Sequence, residues 1–240
     1  MSDELPSRTQ NLLGLPVTVQ ALSPDVDLDG ELWTFNRSNV RIKWMYNIYL
    51  RFATGIAYKL GARAHFMGYE SKCLVDHPKM RRNIWLLIAY PTASHFLNLF
   101  TSKRFESMNL TIGTLSVKER LFAFSKRLDK GPGPPEKRTY FTGKSAYLIH
   151  YFQGEQNLLN QSRQALEEAA AALDASVYFM GSRCARLKFR ANFLPSESDG
   201  AMIFEGPDEA TLESLLKSTA YEDFRSQSSG DYIALYERKI

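Results

Sequence analysis

The stretch "HFMGYE", residues 65–70, is followed in the second half of the chain by "YFMGSR", residues 178–183. The shared Phe-Met-Gly alone proves little, because a chain of 240 residues repeats some tripeptides by chance. Whether it marks a repeat depends on the residues around it.

Those residues fall into the same frame. Downstream, "NIWLLIAYP" parallels "GAMIFEGP", and "TASHFLNLFTSKRFESM" then parallels "DEATLESLLKSTAYEDF". The second pair of segments shares three identical positions and one aromatic position: Leu99 and Leu215, Ser102 and Ser218, Glu106 and Glu222, Phe105 and Tyr221. Each half reads strand, helix, strand, strand, helix, strand, which indicates an internal duplication.

A βαββαβ unit is the ferredoxin-like arrangement, an antiparallel sheet with both helices on one face. The other face of each sheet is left uncovered. Packing the two uncovered faces together removes apolar surface from water, at about 25 cal/mol per Å². We therefore predict an α+β protein in which two tandem ferredoxin-like units form an intramolecular, pseudo-dimeric α/β barrel.

Proline and glycine mark the boundaries of these units. Residues 1–30 contain three prolines and no sustained period, so we predict an extended N-terminal arm. Residues 129–145, "DKGPGPPEKRTYFTGKS", interrupt any helix or ladder and form a linker. The first unit is then 31–128 and the second 146–240.

The first helix of the first unit has a competing interpretation as a strand. Residues 44–52 are apolar and aromatic enough for a strand. The repeat frame and a wide apolar face favour a helix, with Gly61 just past its end.

Composition narrows the function. The chain is 44% hydrophobic with a formal charge of +4, has no apolar run near the roughly 20 residues that span a bilayer, and starts without a secretion signal. We expect a cytoplasmic protein with no membrane or nucleic-acid partner. Two isolated cysteines and four scattered histidines predict no metal site, and no phosphate-loop, dinucleotide or serine-hydrolase motif is present.

The segments "AYLIHYF", "GAMIFEGPDEATLESLLKSTAYEDFR" and "DYIALYERK" of the second half resemble the dimeric α/β-barrel superfamily. That superfamily includes antibiotic-biosynthesis monooxygenases, small polyketide cyclases and uncharacterised short families whose members pair as homodimers. The resemblance implies a fused pair over residues 31–240 and no particular reaction. Haem proteins such as chlorite dismutase resemble such fused pairs too, and would require His150, the one histidine of the second half, as axial ligand.

The candidate acid–base pair is His150 and Glu205. In strand order 4-1-3-2, the first and third strands of a unit are neighbours, and we expect them to run parallel with both residues near one end. Ala201, Ile203 and Glu205 would face the barrel interior, where desolvation and a nearby imidazole tune a general acid or base. The first half has Asn36 and Ala89 at these positions. A structural hydrogen-bonded pair is the competing interpretation.

The candidate substrate-binding residues lie beside the repeated tripeptide. His65 and Tyr178 precede the two Phe-Met-Gly stretches, and we expect them to enter the barrel with Met67 and Met180, while Asn36 adds a further polar group. The competing interpretation is that these are ordinary core residues.

The sequence thus predicts an enzyme of specialised metabolism that acts on a hydrophobic, aromatic or polyketide-like small molecule in an apolar barrel pocket. Acid–base chemistry, cyclisation or cofactor-independent oxygenation are the expected reactions, with no cofactor. A non-catalytic ligand-binding or structural protein and a haem enzyme are the alternatives. The chain is expected to be a monomer or a homodimer.

Overall fold

The computed structural model describes residues 5–12, 14–129, 143–155, 157–189, 193–195 and 198–239. It begins with a hairpin of β1 (Ser7–Leu12) and β2 (Leu15–Ala21). Gly14 in the turn has a φ of +78°, a left-handed conformation that glycine adopts at little cost. The predicted arm is therefore paired with itself, and its second strand extends the sheet by pairing with residues 185–188.

The first half contains the predicted order of elements. They are β3 (Leu32–Val40), α1 (Lys43–Lys59), β4 (Arg63–Val75), β5 (Ile84–Tyr90), α2 (Ala93–Phe100), α3 (Lys103–Met108), a π-helical turn (Asn109–Gly113), α4 (Thr114–Ser116) and β6 (Val117–Arg127). The ambiguous segment is a helix as predicted, and Gly61 just beyond it has a φ of +86°.

The second half repeats the order. Its elements are β7 (Ala146–Gln153), α5 (Leu158–Ala171), β8 (Ser176–Lys188), β9 (Phe193–Pro195), β10 (Gly200–Gly206), α6 (Glu209–Leu215), α7 (Thr219–Gln227) and β11 (Ser229–Arg238). Most of the predicted linker, residues 130–142, lies outside the described residues. No helix in the described part of the chain is long and apolar enough to cross a membrane.

Eight of these strands close into an antiparallel barrel. Its order is β8-β10-β7-β11-β4-β5-β3-β6, and β6 pairs with β8 to complete the circle. Two seams join the halves, β4 with β11 and β6 with β8. The predicted α+β pair of ferredoxin-like units in one barrel is confirmed, including strand order 4-1-3-2 within each unit.

The direction predicted for the central strands is wrong. The first and third strands of the second unit, β7 and β10, are antiparallel, with His150 opposite Met202 and Glu205 opposite Tyr147. The physical reason is the chain path. A crossover helix returns the second strand in the direction of the first, so the third strand, which pairs between them, runs against both.

The apolar side chains form three layers. Helices α1–α3 cover the outside of the first sheet and helices α5–α7 cover the outside of the second, each over its own core cluster. A third cluster fills the barrel, where aromatic rings from both halves meet, for example Phe35 with Phe179 at 5.3 Å between centroids. Aromatic side chains of both halves therefore pack across the interior in which the sequence predicts a pocket.

The repeated Phe-Met-Gly stretches form matching β-bulges. The register of β4 against β5 skips His65, and the register of β8 against β10 skips Tyr178. A bulge adds one residue to a strand, so two successive side chains can point to the same side. The phenyl rings of Phe66 and Phe179 accordingly follow the extra residue into the barrel core.

The glycine of each repeat makes room for the ring. A Cβ on Gly68 would lie 2.7 Å from Phe66 Cε1, and a Cβ on Gly181 would lie 2.7 Å from Phe179 Cε1. These separations are too short for real carbon contacts, so the tripeptide is a packing unit in which glycine accompanies the inward phenylalanine.

We expect Gly68→Ala and Gly181→Ala each to lower the free energy of unfolding by about 1–3 kcal/mol, because the added methyl overpacks the barrel wall. The matched control is Gly55→Ala in α1, where a Cβ would meet nothing within 4 Å. That change is expected to stabilise by up to about 1 kcal/mol through helix propensity. Urea unfolding measures all three, and a neutral result for both barrel glycines would contradict the packing account.

Candidate functional site

The predicted catalytic pair is not brought together. His150 lies on the outer, helix-covered face of β7, among the residues packed under α5–α7, whereas Glu205 lies on the inner face of β10. Successive residues of a strand alternate between faces, and the two strands are antiparallel. The inward direction predicted for Ala201, Ile203 and Glu205 agrees with the structure, but the shared site with His150 does not.

His150 belongs to a closed hydrogen-bonded network. It is fully buried, its Nδ1 lies 2.8 Å from the Tyr221 hydroxyl and its Nε2 lies 2.9 Å from Asp231 Oδ1. Burial lowers the pKa of His150 despite the opposing effect of Asp231. The neutral ring therefore donates a hydrogen bond from Nε2 to the Asp231 carboxylate and accepts one at Nδ1 from the Tyr221 hydroxyl.

Asp231 is held by further partners. Burial raises its pKa, but the hydrogen bond from His150 and that from Ser228 outweigh burial, and the net pKa is lowered. Arg225 Nε lies 3.6 Å from its other oxygen. Every polar atom of this network has a partner inside the protein, which is typical of a structural element.

Glu205 is partly buried near the end of β10. Its Oε1 accepts a hydrogen bond of 2.7 Å from the Tyr147 hydroxyl, which in turn accepts one of 3.1 Å from Arg238. Burial raises the pKa of Tyr147, so the phenol stays protonated and donates to the carboxylate.

His65 and Tyr178 do meet inside the barrel, as predicted. Their rings stack with centroids 4.8 Å apart, and the Tyr178 hydroxyl donates to the His65 carbonyl oxygen at 3.0 Å. His65 is 2% exposed, and neither ring nitrogen has a hydrogen-bond partner within the described residues. Burial, with Arg127 and Arg238 nearby, lowers the pKa of His65 to about 3, so the ring is neutral at physiological pH.

The methionines do not join them. Met67 packs into the cluster under the helices of the first half, and Met180 packs into the corresponding cluster of the second. The prediction that both enter the barrel is wrong because it assumed an unbroken strand. The bulge turns the residue before phenylalanine inward, and the residue after phenylalanine then faces out.

Asn36 also lies on the outer face of its strand, and there it borders a cavity of about 40 Å³ between the first sheet and its helices. The walls are almost entirely aromatic and aliphatic. They comprise Tyr49, Leu50, Ala53, Thr54 and Ala57 of α1, Leu86, Ile88 and Tyr90 of β5, Phe96, Leu99 and Phe100 of α2, Phe105 of α3, and Arg120 and Phe122 of β6.

A single cation stands in this wall. The Arg120 guanidinium lies 5.1 Å from the ring centroid of Tyr49 and donates to the side-chain oxygen of Asn109. Asn109 starts the π-helical turn, a rare geometry that often accompanies functional sites. Gly113 ends the turn, and a Cβ there would lie 3.0 Å from Arg120 Nη2, so glycine leaves the space that the arginine occupies.

The cavity and the closed network occupy equivalent places in the two halves. Asn36 pairs with Phe122, and Arg120 stands two positions before Phe122. In the second half His150 pairs with Ile233, and Asp231 stands two positions before Ile233.

The third member of each set comes from the helix layer. Phe105 and Tyr221 each stand three residues after the serine that precedes α3 or α7. In the second half His150 is thus hydrogen-bonded to both Tyr221 and Asp231, whereas the first half has Asn36, Phe105 and Arg120 around a cavity.

Sequence reasoning found Asn36 and missed Arg120, Tyr49 and Asn109. The sequence contains one signal for Arg120. When the last strands of the two halves are aligned, Arg120 falls near Asp231, so a cation in one half corresponds to an anion in the other. Reading that signal required the register of β6, which the sequence leaves open by one residue.

No group of three or more His, Cys, Asp or Glu in the described residues could hold a metal ion. His150 is a poor haem ligand because Tyr221 and Asp231 take both of its nitrogens.

No family model and no curated protein sequence matches this chain. Solved structures do. A "putative monooxygenase" from Lactobacillus acidophilus NCFM matches with 6% identity over 87% of this chain and 94% of that chain, at a TM-score of 0.52. An "anthrone oxidase-like protein" matches with 8% identity over 88% of this chain and 92% of that chain, at a TM-score of 0.55. These neighbours belong to the dimeric α/β-barrel superfamily, and at such identities the likeness establishes the fold alone.

We expect the pH dependence of stability to identify the neutral histidine in the barrel. Below the unfolded pKa of about 6.5 the unfolded chain binds a proton that folded His65, with a pKa of about 3, does not bind. Stability is therefore lost as the pH falls, by up to about 1.4 kcal/mol per unit for this residue. In urea unfolding at pH 7 and pH 4.5, His65→Phe should lose less stability than the wild type, and equal losses would contradict the assignment.

We expect His150→Asn, which copies the first-half residue, to lower the free energy of unfolding by about 2–4 kcal/mol, because Asp231 and Tyr221 lose a buried partner. Glu205→Gln is the comparison variant. It keeps an acceptor for Tyr147 at a half-exposed site and should cost less than about 1 kcal/mol. Urea unfolding at pH 7 measures the free energy of unfolding of both variants. Similar small losses of this free energy in the two variants would argue against the closed network.

Proposed function

We propose that this protein binds a small phenol in the first-half cavity, with the phenol oxygen toward Arg120, and oxygenates it. One observation supports the location above all others. Equivalent positions are closed by hydrogen bonds in the second half, but in the first half they surround a cavity with a cation in its wall.

The wall chemistry favours an aromatic ring with one ionisable oxygen. Tyr49, Phe96, Phe100, Phe105 and their aliphatic neighbours present ring faces and edges, which pack well against another ring. A guanidinium in such surroundings stabilises an oxygen anion far more than it would in water. A phenol bound there would gain phenolate character.

The volume limits the size of the ligand. About 40 Å³ exceeds the roughly 10–15 Å³ that one water needs, but lies far below the roughly 300–1,000 Å³ of pockets for drug-sized molecules. A single ring enters when wall side chains such as Phe105 rotate. Multi-ring substrates require movement of the helix layer itself.

Oxygenation is supported by the names of the two structural neighbours, one called a monooxygenase and one anthrone oxidase-like. A phenolate is electron-rich enough to reduce dioxygen. In the balanced reaction, phenol and O₂ give a para-quinone and H₂O. The ring is oxidised by four electrons, losing two hydrogens and gaining one oxygen atom, while O₂ is reduced by four electrons and its second oxygen atom leaves as water. Arg120 would hold the oxygen anion while electron density builds on the ring.

Non-catalytic binding in the same cavity is the second candidate, and it has a structural basis. The described wall of the cavity contains no histidine or carboxylate, so it offers no conventional general base. His150 and Glu205, on opposite faces of the second sheet, are not candidates for this role.

The experiment compares phenol with toluene, which has the same shape and cannot ionise. Binding is measured by the shift in melting temperature and by calorimetry, and turnover by oxygen consumption with quinone absorbance. The wild type should prefer phenol, and Arg120→Met should lose that preference by roughly 10–100-fold, the range for a hydrogen bond to a charged group. Arg63→Met is the matched control, because Arg63 also lies 5.1 Å from a tyrosine ring centroid but stands outside the cavity.

The outcomes separate the two parts of the proposal. Equal affinity for phenol and toluene, or binding of neither, would contradict the site. Preferential phenol binding without oxygen consumption would leave a binding protein and remove the oxygenase.

A further inference from the structure

The outer face of helix α1 is apolar and exposed. Trp44, Ile48 and Phe52 are 66%, 40% and 57% exposed, and their spacing of four residues places them on one side of the helix. Leu115, 62% exposed, lies beside the start of α1, since the Arg41 amide donates to the Ser116 carbonyl at 2.8 Å. We call these four side chains the α1 face.

This face is not a requirement of the fold. The equivalent helix of the second half, α5, exposes polar and small residues instead, including Gln164 and Glu168, which hydrogen-bond to each other at 2.9 Å. Two helices in equivalent places cover equivalent sheets, and only one of them presents large apolar side chains to the outside.

Cations lie next to the α1 face, at the end marked by Phe52. A groove of about 910 Å³ runs between α1 and α3, and its lining includes Arg51, Lys59, Lys103 and Arg104 with no carboxylate among the described lining residues. The same groove is also lined by Phe52, Ile56, Leu60 and Met108, so it combines apolar and cationic groups.

We propose that this protein docks on an anionic lipid bilayer through the α1 face. Trp and Phe beside Lys and Arg is the composition of helices that lie in the plane of a membrane, where apolar side chains enter the acyl boundary and cations contact phosphate headgroups. Three of the four apolar side chains stand on the outer side of one helix and the fourth lies beside its start, so they project outward, which suits a deformable surface better than a preformed protein pocket. A second copy of this chain would bring four cations against four cations, so charge opposes self-association there.

The proposal differs from the expectation of no membrane partner. That expectation came from the absence of a spanning apolar run, which concerns proteins that cross a bilayer. Docking needs only one face of one helix. Buried and exposed apolar residues are interleaved along the sequence of α1, so the exposed ones cannot be told from the buried ones without the structure.

Tryptophan fluorescence tests the proposal, because only one of the three tryptophans lies on the surface. Trp33 and Trp85 are 1% and 0% exposed, so a change in the red part of the emission reports Trp44. With vesicles of phosphatidylcholine containing phosphatidylserine, we expect co-sedimentation and a blue shift of the emission. With pure phosphatidylcholine vesicles the affinity should fall by at least tenfold.

The variants separate this surface from general basicity. Lys103→Glu with Arg104→Glu should weaken vesicle binding by at least 25-fold, since each cation near an anionic surface contributes about a fivefold factor. Phe52→Ser should weaken it without changing the charge. The control is Lys188→Glu with Lys217→Glu, which makes the same change in net charge at exposed positions of the second half and should leave most of the binding intact.

Three results would overturn the proposal. They are no binding to anionic vesicles, as expected if the face fits an acidic protein instead; equal losses in the two charge-reversal pairs; and co-sedimentation with no change in Trp44 emission. Circular dichroism and melting temperature confirm that each variant is folded.

Discussion

Two seams of backbone hydrogen bonds hold the molecule in its shape. Each ferredoxin-like unit has a sheet with one face under its own helices and the other face open, and the seams β4–β11 and β6–β8 turn the two open faces toward each other. A closed barrel leaves none of its eight strands with an unpaired edge, and it encloses an aromatic core that neither half could cover alone. The helices lie outside this cylinder, so they are free to differ between the halves.

The two halves differ in the space between the sheet and its helices. Beneath α5–α7, His150, Tyr221 and Asp231 satisfy one another and seal the space between sheet and helices. Beneath α1–α3, a π-helical turn brings Asn109 to Arg120, and the space stays partly open. A homodimer of identical chains would have two of the same sites, whereas a fused pair can keep one half as a rigid support and change the other.

Features that follow from the internal repeat were predictable from the sequence. Features that depend on shifting a strand by a single residue were not. The Phe-Met-Gly frame was enough to predict the order of elements, the unit order 4-1-3-2 and the closed barrel. It could not show that His65 and Tyr178 are extra residues in β-bulges. Because of the bulge in each half, Met67 and Met180 face the helices and not the barrel interior. Likewise, a wrong strand direction placed His150 beside Glu205, although the alternation within β10 correctly turned Glu205 inward. Asn36 is predicted to line a pocket inside the barrel, but it borders the cavity between the first sheet and its helices. Both faces of its strand are buried, so the sequence does not distinguish the inner face from the outer one.

Helices α1 and α3 form a wall with a different environment on each side. Their inner residues line the cavity of the first half, and their outer residues line the cationic groove. The two compartments are thus separated by one helix diameter, roughly 10 Å. Consider a compound that dissolves better in lipid than in water. A protein docked on the bilayer through this wall would take the compound from the lipid, where most of it is dissolved, and not from the small fraction in solution. The compound would then reach the cavity without passing through water.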